Sequence, residues 1–261
     1  MLEEIVANRK KQVAINKALV SVKMLESSAF FASPCNSLNE YLLLSNQSGI
    51  IAEFKRSSPS KGIIREDANV VEITTGYVQA GAVALSVLTE PDYFMGHDND
   101  FAMARTANKC PILRKDFIVD EYQVIETKSL GADVVLLIAA CLEKSELKVL
   151  YQLARSLSLQ VLFEVHSLDE LEKMPADDLI VGVNNRNLKT MEVGLQTSLM
   201  IAEKYSKNLM MISESGLSSA KEIVQLKRAG FKGFLIGESL MRTQQPSATL
   251  AQMIEEIKRL Q

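Results

Sequence analysis

The chain is poor in the residues that hold metals and disulfides. In 261 residues it has three cysteines, Cys35, Cys110 and Cys141, and two histidines, His97 and His166. The cysteines are far apart, odd in number and form no C-x-x-C pair, which argues against a disulfide framework or a structural zinc site. Cys110 and Cys141 sit in or beside apolar stretches and read as small buried hydrophobes. Two isolated histidines make no metal cluster, and without a G-x-S-x-G segment there is no nucleophile elbow for a Ser-His-Asp triad. A P-loop and a G-x-G-x-x-G are also missing, so neither a nucleotide cofactor nor a metal is expected. The longest apolar stretch, Val134–Leu142, falls far short of the ~20 residues of a membrane-spanning helix. The N-terminus is charged at once, so no secretory leader is expected, and no fused second domain is expected after Gln261. A net charge of −3 lacks the basic excess of a nucleic-acid surface. The expectation is a cytoplasmic protein, a monomer or weak homo-oligomer, whose partner is a small molecule rather than nucleic acid or membrane.

What the chain does have is eight short apolar runs rich in Val, Ile and Leu. They are Ile50–Phe54, Ala82–Leu88, Ile112–Lys115, Asp133–Ile138, Gln160–Glu164, Leu179–Val183, Leu209–Ser213 and Gly233–Ile236. Continuous rather than alternating apolar character marks buried parallel strands. A helical pattern follows each one, among them Glu121–Leu130, Lys144–Ser156 and Ser218–Ala229, the last opened by Ser218 and closed by Gly230. Eight strand–helix units in about 250 residues favour a closed (β/α)₈ TIM barrel over an open six-stranded sheet with an extra domain. Residues 1–48 read as an N-terminal helical extension, with one amphipathic helix from Leu2, a second over Val20–Phe31 and a polar link over Ser27–Ser37. Residues 49–261 read as the barrel, so that 1–261 make one domain.

In such a barrel the active site lies at the C-terminal ends of the strands. The first run ends in Glu53 and Lys55, the third in Lys115, the fifth in Glu164, the sixth in Asn184 and the seventh in Glu214. Charged groups that close apolar strands are costly to bury singly. Strand residues two apart share a face. Ile51, Glu53 and Lys55 therefore form one set and Leu113, Lys115 and Phe117 another, with Arg114 and Asp116 facing away. Leu162 goes with Glu164 and Ile212 with Glu214. Two lysines and three carboxylates then converge on one small space, where opposed charges create acid and base partners. A buried ion-pair network that merely closes the barrel top is the bland alternative. Glycine-containing turns after the seventh and eighth runs, Ser213-Glu-Ser-Gly-Leu-Ser and Leu235-Ile-Gly-Glu-Ser-Leu, fit the usual phosphate site of these barrels. The basic, hydroxyl-rich Lys55-Arg-Ser-Ser-Pro-Ser-Lys-Gly62 reads as a lid.

The chain closely resembles the indole-3-glycerol-phosphate synthase family. The matching segments are 51–62 (Ile-Ala-Glu-Phe-Lys-Arg-Ser-Ser-Pro-Ser-Lys-Gly), 85–96, 111–120 (Pro-Ile-Leu-Arg-Lys-Asp-Phe-Ile-Val-Asp), 162–166, 182–188, 213–216 and 235–242. They run in family order across the whole barrel. The resemblance implies conversion of 1-(2-carboxyphenylamino)-1-deoxyribulose 5-phosphate to indole-3-glycerol phosphate in tryptophan biosynthesis, by ring closure, decarboxylation and dehydration, without a cofactor. It implies that Lys115 is the general acid and Glu164 the base or proton shuttle. Lys55 would pair with the substrate carboxylate, and Glu53, Asn184 and Glu214 would orient these groups. Arg186 would lie near the anthranilate side, Ser58, Ser215, Gly216, Gly237 and Glu238 around the phosphate, and Phe94 and Phe117 against the aromatic ring. Two positions depart from the family pattern. His97 replaces the usual Ser near the ring pocket, and Glu238 stands where many members have Ser, so its carboxylate must point away from a phosphate. A related isomerase of phosphoribosylanthranilate would carry Cys and Asp at the first and fifth strand ends, where this chain has Glu. Related thiazole-synthase and tryptophan-synthase-α barrels lack the Lys115 segment.

Overall fold

The structure, a computed structural model, describes residues 1–44, 48–187 and 190–261. Positions 45–47 of the extension, and Leu188 in the fifth matching segment, lie outside them. Eight parallel strands form a closed barrel. They are β1 (Ile50–Phe54), β2 (Ala84–Leu88), β3 (Ile112–Lys115), β4 (Val134–Ile138), β5 (Gln160–Val165), β6 (Ile180–Asn184), β7 (Met210–Glu214) and β8 (Gly233–Ile236). Each pairs with its sequence neighbours, and β1 closes the ring by pairing with both β2 and β8. The open six-stranded alternative is thereby excluded.

The strands are apolar on both faces because each face meets a different core. Ile51, Leu113, Val134, Leu136, Leu162, Ile180, Ile212 and Leu235 fill the barrel interior. Ile50, Phe54, Val87, Ile112, Val135, Phe163, Val181 and Phe234 pack outward against the helices. That division is the two-residue alternation of a strand, and it leaves no surface for polar side chains except at the strand ends. The outward Arg114 is the costly exception. It is fully buried and answered by Glu126 at 2.7 Å, Asp98 at 3.1 Å and Asp116 at 3.2 Å. Its neighbour Asp116 faces outward with it.

The helices of the outer layer are α4 (Val70–Gln79), α6 (Asp98–Ala107), α7 (Glu121–Ser129), α8 (Lys144–Ser156), α9 (Gln196–Tyr205), α10 (Ala220–Arg228) and α12 (Pro246–Leu260), with one-turn α5 (Pro91–Phe94) and α11 (Glu238–Met241) at the strand ends. The expectation of a full helix after every strand fails once. After β5 the chain makes only a 3₁₀ turn, Asp169–Lys173, and Pro175 two residues later prevents its extension. The helix expected to open at Ser218 is capped instead by Ser219, in a reciprocal box with Glu222.

In the extension, α1 (Leu2–Leu19) forms as expected, but the second helix shrinks to α2 (Val22–Glu26) and turns follow it. A helix unmarked by the sequence pattern, α3 (Leu38–Leu43), covers the N-terminal end of the barrel. Leu38 and Leu42 join the interior core, and the Leu38 amide donates to the Gln160 side chain at the start of β5. Helix α1 crosses to the opposite end. There Arg9 is buried and donates to both carboxylate oxygens of Asp116, at 2.9 and 2.5 Å.

Candidate active site

Every residue expected in a catalytic or substrate-binding role lines one cavity of about 580 Å³ at the C-terminal ends of the strands. Strand alternation accounts for the centre of the convergence, because Glu53, Lys115, Glu164 and Glu214 each follow an interior residue by two positions. Lys115 is the centre. Its ammonium donates to Glu164 of β5 and, at 2.8 Å, to Glu214 of β7. Glu53 does not reach it directly. Glu53 instead accepts from Lys55 at 2.7 Å and from Ser86 at 3.2 Å. Asn184 donates to Glu164 at 3.1 Å and turns its own oxygen to the Arg186 amide at 3.0 Å. Two clusters result, a triad of Lys115 with Glu164 and Glu214 and a pair of Lys55 with Glu53. Lys115 and all three carboxylates are largely withdrawn from solvent.

Burial alone would lower the Lys115 pKa. Charge from Glu164, Glu214 and Glu53 outweighs it, so the ammonium is held well above its ordinary value. The two carboxylates move apart. Burial raises both, but Lys115, His166 and the Asn184 amide pull Glu164 below the carboxylate range. Glu214 stays raised, because burial and the charge of Glu164 exceed what Lys115 returns. Glu214 Oε1 is buried without a hydrogen-bond partner. Gly182 makes room for that oxygen, since a Cβ there would stand 2.1 Å from it.

The rim carries backbone rather than side-chain chemistry. Ser215 and Gly216 after β7 take left-handed φ values of 67° and 73°. For Ser215 that conformation is strained, and the Asn185 side chain fixes it by donating to the Ser215 carbonyl at 3.1 Å. After β8, Gly237 caps α11, the short extra helix typical of phosphate sites in barrels. Glu238 opens that helix but turns its carboxylate to Arg186 at 3.7 Å and Arg242 at 3.5 Å. Arg186, expected on the aromatic side, therefore reaches toward the loop after β8. Phe94 and Phe117 face each other across 6.0 Å between ring centres. The loop after β1 folds into a small hairpin, Ser57–Ser58 against Gly62–Ile63, whose tip brings Ser58 to Lys61 to the cavity. Its Arg56 turns away to Asp100.

Some expectations need correcting. His97 is exposed and does not line the cavity; it precedes α6 without capping it through its side chain. Cys110 is buried as expected, but Cys141 is half-buried. Sequence reasoning missed His166, Met1 and the α1 residues Leu2 and Ile5, all of which line the cavity. The spacing Glu164-Val-His166 carried the same alternation signal as the other sets. No comparable signal announces that α1 lies over the strand ends. No cluster of His, Cys, Asp and Glu able to hold a metal occurs among the described residues, and no described helix is long and apolar enough to cross a membrane.

Fold and mouth together define the class, an acid–base barrel enzyme with a phosphate-type rim. The family profile described as indole-3-glycerol phosphate synthase matches residues 2–253. Curated relatives of that name are 42% identical in Bacteroides thetaiotaomicron, over 99% of both chains, and 42% identical in Magnetococcus marinus, over 97% of both. A third, from Polynucleobacter asymbioticus, is 39% identical over 97% of this chain and 98% of its own. The chain belongs to the indole-3-glycerol phosphate synthase family, the carboxy-lyases of tryptophan biosynthesis. A solved structure titled KGPDC from Streptococcus mutans has a TM-score of 0.62 at 10% identity, covers 81% of this chain and 97% of its own, and shows the shared fold alone.

Proposed function

We propose that Lys115 is the acid that protonates the ketone oxygen of 1-(2-carboxyphenylamino)-1-deoxyribulose 5-phosphate as the ring closes, and that Glu164 is its proton partner. The observation that carries this is the ammonium held between Glu164 and Glu214 on the cavity floor. A lysine so held is fully protonated, and the cavity delivers its proton where oxyanion charge develops. Glu164, kept ionised, accepts the proton lost in dehydration. Glu214 has an unpartnered oxygen suited to a sugar hydroxyl. Lys55, steadied by Glu53, pairs with the carboxylate that departs as CO₂. Asn184 orients Glu164, and Ser58, Ser215, Gly216, Gly237 and the Glu238 amide surround the phosphate. Phe94 and Phe117 hold the aromatic ring, with Arg186 between the ring and the rim. The Glu238 carboxylate spends its charge on Arg186 and Arg242, so it does not repel a phosphate.

The same reading takes residues 1–261 as one functional unit, with 1–48 as a helical extension that helps roof the cavity of the barrel, 49–261. Three free cysteines fit a reducing, cytoplasmic setting. The experiment follows indole fluorescence as product forms from the synthetic ribulose phosphate, on a chain whose 261 residues include no tryptophan to compete. Glu164→Gln should slow that signal by about 10²-fold or more. An unchanged rate would reduce Glu164 to a structural role.

A further inference from the structure

The reaction consumes a proton. With the substrate carboxylate ionised, protons go to the ketone oxygen and then to the departing hydroxyl, which leaves as water. One proton is released, from the carbon that was C1 of the ribulose, and the carboxylate electrons return to the ring as CO₂ departs. Two protons in and one out leave one to be drawn from solvent in each turnover. Lys115 is poorly placed to draw it directly, since its hydrogen bonds go to the buried carboxylates of Glu164 and Glu214 and little of its side chain meets solvent.

Behind Glu164 lies a second buried group that the acid–base scheme does not use. His166 points from the end of β5 into the site, with 8% of its side chain exposed. Its Nε2 is 3.4 Å from Glu164 Oε1, and its Nδ1 is 3.5 Å from Glu170 Oε2. Neither nitrogen is aligned for a hydrogen bond, so both are buried polar atoms without a partner. Such orphans are rare and call for an explanation. A small rotation of the ring would give either carboxylate a hydrogen bond. Glu170 is fixed at the far side because it accepts from the His166 amide at 2.7 Å. It sits on the 3₁₀ turn that replaces a helix after β5. Its side chain is 21% exposed and does not line the cavity, so that exposure faces bulk water.

We propose that Glu164, His166 and Glu170 form a proton relay through which solvent recharges Lys115, with His166 a positioning and relay residue rather than a catalytic one. A proton enters at Glu170 and reaches His166 Nδ1, Nε2 gives one to Glu164, and Glu164 returns it to the lysine amine; no bond other than N–H or O–H changes. This rests on the Lys115 reading above. The charged groups facing His166 are Glu164 on its own strand, Glu170 on the 3₁₀ turn and, farther off, Glu214 on β7. Burial would lower the imidazole pKa, but Glu170, Glu164 and Glu214 more than offset it, so it lies above its ordinary value. An imidazole more basic than usual is suited to taking up a proton from Glu170 and passing one to Glu164.

The test is stopped-flow proton uptake in a weakly buffered single turnover, read with an indicator dye beside indole fluorescence. In His166→Gln, uptake should slow about tenfold, and added imidazole should restore it. Glu170→Gln should show the same effect more weakly, with substrate affinity near that of the parent in both. Uptake at the parent rate in His166→Gln, or a loss that no small acid restores, overturns the relay. The Lys115 reading fails separately, if Lys115→Ala still turns over.

Discussion

Glu164 and Glu214 touch the same ammonium and yet titrate in opposite directions. The difference lies in what else each meets. Asn184 and His166 favour the Glu164 charge, whereas one Glu214 oxygen has no donor at all. Burial and the Glu164 charge thus raise Glu214 to about 7. A carboxyl whose folded pKa exceeds its unfolded one gives stability that is complete below the unfolded value and is lost as pH climbs through the folded one. Glu214→Gln is not subject to that loss. Its melting temperature should gain on the parent by a few degrees between pH 4.5 and 7 and then run parallel above that; a gap independent of pH would contradict the assignment. The lysines and carboxylates were legible in the sequence because they end apolar strands at the same two-residue step. Which of them meet was not legible. Glu214 lies beside Asn184, and Glu164 beside Gly182, only through inter-strand register, which no single strand encodes.

At the scale of elements, the strands were legible almost to the residue, since their uninterrupted apolar character follows from burial on both faces. The extension was legible only in part, since α1 forms where the pattern placed a helix but the rest of the extension does not follow the expectation. Helix α3 is too short to establish a period, and α1 has its polar and apolar residues arranged for an unusual surface, the ends of the strands. Its anchor is the buried pair of Arg9 with Asp116, the residue after Lys115, whose carboxylate also accepts from Thr89 at 2.7 Å. Breaking a buried pair from one side costs roughly 3–5 kcal/mol. Arg9→Ala should fall at the low end, because Arg114 still stands 3.2 Å from Asp116. Denaturant unfolding measures the loss. As Met1, Leu2 and Ile5 line the cavity, KM should rise more than kcat falls. A variant that loses stability with KM unchanged would show that α1 is a brace only.

For the whole molecule, the strand count and the ordered motifs were enough to infer the closed barrel. The shape of the cavity was not inferable, because it depends on a helix from the chain's first residues crossing over the last residues of its strands. That arrangement places two ammonium groups, Lys55 and Lys115, three carboxylates and a glycine rim around a space of about 580 Å³. In the proposed relay the proton supply becomes a property of the fold, since Lys115 is recharged through its neighbours. The central claim is that Lys115 donates the proton of ring closure. It is tested most directly by Lys115→Ala, with turnover read by indole fluorescence and substrate affinity by calorimetry on the same preparation. The expected result is a rate about 10³-fold lower or less, with affinity within a few-fold of the parent, since the rim that holds the phosphate is intact. Near-normal turnover in that variant would contradict the account.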